Sequence, residues 1–119
     1  MLFVHDQFQK TLYLCTTIRV IIWLLYMFFI ISYDLKGAGS DYAELYEAIK
    51  SVGEWQHPLE STWVVKTDLD QNQIYDKLKA ALDDVDHVLI FQIYPKERQG
   101  WLAKSFWAWM REKVEEDEL

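Results

Sequence analysis

Between Phe28 and Leu35 the chain reads FFIISYDL, a dense run of aromatic and β-branched residues that stops at a carboxylate, Asp34. Five of the six residues Phe28–Tyr33 are apolar with little alternation, the pattern of a strand buried on both faces. A strand of that kind sits in the middle of a sheet, so the other elements must supply partners on both edges and cover on both faces. The loop that follows, Lys36-Gly37-Ala38-Gly39-Ser40, carries glycines between a strand and a helix. It lacks the third glycine of a dinucleotide loop, where Tyr42 stands, and it has no Gly-Lys-Ser/Thr, so these are turn glycines.

Residues upstream of Met27 admit three readings. Leu12–Ser32 is a 21-residue stretch with one charge, Arg19, nearly long enough to span a bilayer. Val20–Tyr33 has the length of a signal-peptide core, but Asp34 and Lys36 fall where small neutral residues are wanted. In the third reading residues 1–26 are an extension outside the native domain, and a domain of residues 27–119 opens directly on the strand at Met27. We favour the third, because a membrane helix would consume the strand that the rest of the sheet needs; a membrane partner is then not expected.

Downstream, Asp41 and Glu44 make a capping box for a helix with Tyr42, Leu45, Tyr46, Ile49 and Val52 at helical spacing. Gly53 is expected to close it in a left-handed conformation. Glu54–Leu59 and Ser61–Thr67 read as two short strands, with Pro58 marking a bend or an edge. Asp70 and Gln73 cap a second helix whose stripe runs Ile74, Leu78, Ala81, Leu82, Val85. His87–Tyr94 is another dense strand, and Trp101–Lys113 a terminal helix apolar more than halfway round. The order βαββαβ plus a helix predicts an α+β, ferredoxin-like sandwich: a four-stranded antiparallel sheet with two helices on one face. The second face then needs cover, from a second copy or from the terminal helix.

Charge narrows the function. The net charge is −7; without residues 1–26, where Lys10 and Arg19 stand against Asp6, it is −8, and without Glu112–Leu119 as well it is −4. An acidic body argues against broad, non-specific affinity for nucleic acid, yet leaves room for a local basic patch or a bridging metal ion. One cysteine, Cys15, excludes an internal disulfide and fits a reducing compartment, so a cytoplasmic location is expected. The three histidines, His5, His57 and His87, are scattered, with no zinc spacing.

Asp34 is the leading candidate for chemistry: a metal-binding carboxylate paired with its copy across a two-fold axis, holding Mg²⁺ or Mn²⁺, or else a plain turn residue. Tyr33, His57 and Ser61 are candidates for ligand contact, the latter two within the distinctive segment His57-Pro58-Leu59-Glu60-Ser61-Thr62-Trp63. No nucleophilic triad is spaced for. The acids Asp68, Asp70, Asp83, Asp84 and Asp86 read as caps and solvated turns. Trp101, Phe106, Trp107 and Trp109 mark a candidate interface on the terminal helix.

The strand ending Tyr33-Asp34, the Ser61 strand and Asp86-His87-Val88-Leu89-Ile90 resemble the small CRISPR adaptation subunit, Cas two, over about Met27–Tyr94. The Y-D-L, H-P-L-x-S-x-W and D-x-V-L-I pieces look more similar still to a SinR-like branch of that superfamily, and virulence-associated protein D toxins share the architecture. The resemblance implies a homodimeric ferredoxin-like fold in antiviral defence, with metal-dependent cleavage of RNA or DNA at Asp34, the one matching aspartate. The alternative is a non-catalytic dimeric module of a defence or toxin–antitoxin system, binding a protein through the terminal helix.

Overall fold

The computed structural model describes residues 26–36 and 42–118. Asp41, the turn glycines at 37 and 39, and the segment upstream of Tyr26 lie outside the described residues, and with them the first capping box and the reading of residues 1–26. Strand β1 (Met27–Asp34) leads to helix α1 (Tyr42–Lys50), strands β2 (Glu54–Leu59) and β3 (Thr62–Thr67), helix α2 (Gln71–Leu78), strand β4 (His87–Ile93) and helix α3 (Lys104–Glu118). The sheet is antiparallel throughout, in the order β2-β3-β1-β4. The chain is thus an α+β domain in which β1 is a central strand, as its two apolar faces require.

Alternation along β1 divides the core in two. Phe29, Ile31 and Tyr33 point to one face, where they meet Leu45 and Ile49 of α1, Ile74 and Leu78 of α2, and Trp63 and Val65 of β3. Phe28 points to the other face and packs with Val64 against Phe106, Met110 and Val114 of α3. The cover that the second face needs therefore comes from the terminal helix, over the part of the sheet around Phe28 and Val64. Lys66, 5% exposed on this face, donates to the Lys113 carbonyl (2.9 Å) and to Glu116 (3.2 Å), while Lys113 donates to Glu54 (2.8 Å). The Glu54 carboxylate holds the Lys113 ammonium above its usual range. These bonds pin the second half of α3 to the sheet.

Local signals act where the sequence places them, with differences at several element ends and at Gly53. Asp70 accepts from the Gln73 amide and the Gln73 side chain accepts from the Asp70 amide, both at 2.9 Å, completing the capping box of α2. Pro58 sits in edge strand β2, within an irregularity of the ladder between Gln56 and Leu59, where its missing N–H is harmless. However, α2 ends at Leu78 and continues as a 3₁₀ turn over Lys79–Ala81, after which Leu82 is extended and Val85 is exposed. The helical stripe outlasts the helix because Ala81 and Leu82 still pack on the core by another backbone route. Strand β3 begins at Thr62, one residue after the expected Ser61, and β4 stops at Ile93, one residue short of the expected Tyr94. Helix α3 runs from Lys104 to Glu118, starting three residues after Trp101 and ending five past the expected Lys113.

Gly53 is the remaining difference. Its backbone is not left-handed; instead a Cβ there would collide with the Lys66 carbonyl and lie 3.0 Å from the Thr67 Cβ. The glycine lets the chain leave α1 and press directly against β3, where the Thr67 hydroxyl donates to the Val52 carbonyl at 2.7 Å. Gly53→Ala is expected to destabilise by about 1–3 kcal/mol, the usual cost of forcing an extra methyl into a packed contact; urea unfolding would measure it.

Candidate functional site

The register of β1 and β4 sets opposite one another Asp34 and His87, Ser32 and Leu89, Ile30 and Phe91, and Phe28 and Ile93. Opposed residues of an antiparallel pair share a face, so all eight lie on the face that α3 partly covers. The helix covers Phe28, but Leu89 and Phe91 remain 46% and 60% exposed. The result is an open, apolar half-face with Asp34 and His87 at its rim.

A shallow pocket of about 250 Å³ lies there, lined by Ser32, Tyr33, Asp34, His87, Val88 and Leu89. The Asp34 side chain is 67% exposed, with the Lys36 ammonium 3.4 Å away. An ion pair that open to solvent contributes at most about 1 kcal/mol and yields readily to a stronger cation. The strand end that carries this carboxylate is better fixed than the pairing. Asp86 accepts from the Lys36 amide at 2.7 Å and from the Asp83 amide at 2.8 Å, tying together the two loops that flank the strand ends. Asp86 is thus a structural clamp, in keeping with the turn role expected for the acids around α2.

Tyr33, His57 and Ser61 do converge, but elsewhere. Tyr33 points to the helix face, opposite to Asp34. Its hydroxyl accepts from the Trp63 indole N–H at 3.0 Å and donates to the Glu60 carbonyl at 3.4 Å. The His57 ring stacks on Trp63 at 4.0 Å and 12°, with its Nε2 2.9 Å from the same Glu60 carbonyl. Ser61 enters through its backbone, whose carbonyl accepts from the Tyr33 amide at 3.1 Å. Together with Tyr46, 5.2 Å from both His57 and Trp63, these groups lock the turn between β2 and β3. The geometry serves packing of the turn; it does not deliver these three residues to Asp34.

Burial pushes the Tyr33 hydroxyl up to about 12, against the Trp63 N–H, which favours the phenolate. A raised folded-state value means that the unfolded chain loses the proton first. Tyr33 therefore contributes stability that is intact below pH 10 and declines as pH rises from about 10 toward 12. The loss across that window is expected to be smaller in Tyr33→Phe than in the native chain, measured by urea unfolding at each pH.

Of the interface candidates, Trp101 is 98% exposed, Trp107 and Trp109 are half-buried against the second core, and Phe106 is inside it. His87 is the site residue that pattern reading missed. Its only signal is that Y-D closes β1 while D-H opens β4, which becomes a contact once those strands are antiparallel neighbours.

Chemically, the rim offers one hard carboxylate and one imidazole per chain. Exposed carboxylate oxygens suit Mg²⁺ or Mn²⁺. Among the described residues no three His, Cys, Asp or Glu side chains gather as a metal cage, so any such ion would draw further ligands from water, substrate or a second copy. Also among the described residues, no helix is long and apolar enough to cross a membrane. No family model matches the chain, and none of the curated proteins or solved structures compared with it gives a match.

Proposed function

We propose that the chain forms a Cas-two-like homodimer of ferredoxin-like build that cleaves nucleic acid with a divalent metal, as part of a prokaryotic defence or toxin–antitoxin system. The strand order β2-β3-β1-β4 supports the fold reading: each of α1 and α2 connects two strands that flank a third, and both helices pack on one face. The observation that carries the functional reading is the placement of Asp34 on the rim of the open half-face beside Leu89 and Phe91. Two copies that bury these faces about a two-fold axis bring their rims together, so two Asp34 carboxylates border one site.

Asp34 and its copy would hold Mg²⁺ or Mn²⁺. Such an ion supplies polarisation of the phosphodiester and a water activated near neutral pH. Asp34 fixes charge and position at the strand end, Asp86 keeps the flanking loops in place, and His87 sits where an imidazole can accept or return a proton. The test is cleavage of labelled RNA and DNA by the purified chain with Mg²⁺ or Mn²⁺; the reading expects cutting that chelator abolishes.

Two observations favour a second reading. Asp34 already pairs with Lys36, and Trp101 stands almost fully exposed ahead of α3, as a dimeric protein-binding module would also require. In that case Asp34 is a turn residue, and no substrate is cut.

A further inference from the structure

The acidic chain has a basic segment around the start of α3. Residues 95–111 hold four of its twelve Lys and Arg, Lys96, Arg98, Lys104 and Arg111, but one of its nineteen Asp and Glu, Glu97. The fold gathers part of this segment into a pocket. Between the β4–α3 connection and α3 lies an open pocket of about 460 Å³, lined by Lys96, Arg98, Gln99, Gly100 and Trp107. Arg98 is fixed at its wall, its Nη1 donating to the Pro95 carbonyl at 2.7 Å, which leaves the other guanidinium donors for an anion. Gly100 packs close to the six-membered ring of the Trp107 indole, where a Cβ would sit 3.3 Å from the ring.

Along α3, Lys104, Trp107 and Arg111 follow one another at i, i+3 and i+7, so they form one stripe, and both cations are exposed. Stability does not ask for this arrangement. Cations in the first turn of a helix oppose its macrodipole, and α3 has no acid there. Trp101, 98% exposed, follows Gly100 directly.

From these features we infer that the pocket and the Lys104–Trp107–Arg111 stripe bind a single strand of nucleic acid. Phosphates lie against Lys96 and Arg98, and a base stacks on the Trp107 indole. Cations interleaved with an aromatic platform are the chemistry that grips single strands without reading sequence. The inference rests on the nucleic-acid reading above and gives it a gripping surface distinct from Asp34. Asp34 and this pocket flank opposite ends of β4, whose seven residues (His87–Ile93) span about 20 Å, so the two functions separate by mutation.

The test is fluorescence anisotropy of a labelled ten-nucleotide oligouridylate or oligothymidylate with the full chain, in chelator so that nothing is cut. The inference expects salt-sensitive binding, weakened at least ten-fold in the double variant Lys96→Glu/Arg98→Glu. It also expects near-native binding in the charge-matched control Lys77→Glu/Lys79→Glu on α2. Equal weakening in the control, no weakening in the pocket variant, or binding of an oligoglutamate peptide in place of the oligonucleotide would overturn it. Pocket-dependent binding without any metal-dependent cutting would sustain this inference while removing the nuclease. Cutting indifferent to the pocket variant would do the reverse.

Discussion

Trp63→Ala is expected to cost about 3–5 kcal/mol of unfolding free energy, the range for deleting a large buried aromatic. Trp63 is 1% exposed on central strand β3, and its ring is the hub of the aromatic cluster. His57 stacks on it, while Trp55 and Tyr46 each approach to 5.2 Å. Its indole N–H also satisfies the Tyr33 hydroxyl. Alanine removes the packing, opens a cavity beneath α1 and strips Tyr33 of a donor at once. Trp63→Phe separates these effects: it keeps much of the ring but leaves Tyr33 short of its donor, for about 1–3 kcal/mol. Adding Tyr33→Phe to Trp63→Phe is expected to restore part of that loss. Urea unfolding with unchanged m would measure all three variants.

Asp34→Asn is expected to reduce metal-dependent cleavage at least about 100-fold, the scale on which losing an essential electrostatic group acts, while leaving stability within about 0.5 kcal/mol of native. Both halves follow from the same geometry. The carboxylate is two-thirds exposed and its one ion pair is open to solvent, so the fold gains little from its charge. A divalent ion depends on that charge directly, and Asn keeps the shape while removing it. Cleavage that survives the substitution would assign Asp34 to the turn and favour the binding module.

How far the sequence could be read depended on the range of the interaction. Phe28–Tyr33 announced a central strand because burial on two faces is written in consecutive residues, and Asp70 with Gln73 announced a helix start because both partners lie within one turn. Gly53 misled: its role depends on the Lys66 carbonyl, which β3 brings against it from thirteen positions away. The stripe from Ile74 to Val85 reported burial, not hydrogen bonding, so it ran past the end of α2. The face covered by α3 was open in the sequence, because an all-round apolar helix does not declare its partner. Neither His87 beside Asp34 nor the exposed pair Leu89 and Phe91 could be seen before the β1–β4 register was known. The basic pocket was hidden by net charge, since a sum of −7 conceals four cations in seventeen residues.

Everything proposed for Asp34 requires two copies joined through the open half-face, and the mass of the chain in solution tests that most directly. Light scattering during size-exclusion chromatography at tens of micromolar is expected to give twice the 14.3 kDa chain mass. Phe91→Asp, which sets a charge in the middle of that face, is expected to return the mass to that of one chain without unfolding it. A native chain that elutes as a folded 14.3 kDa monomer, or a dimer indifferent to Phe91→Asp, would contradict the shared site at Asp34.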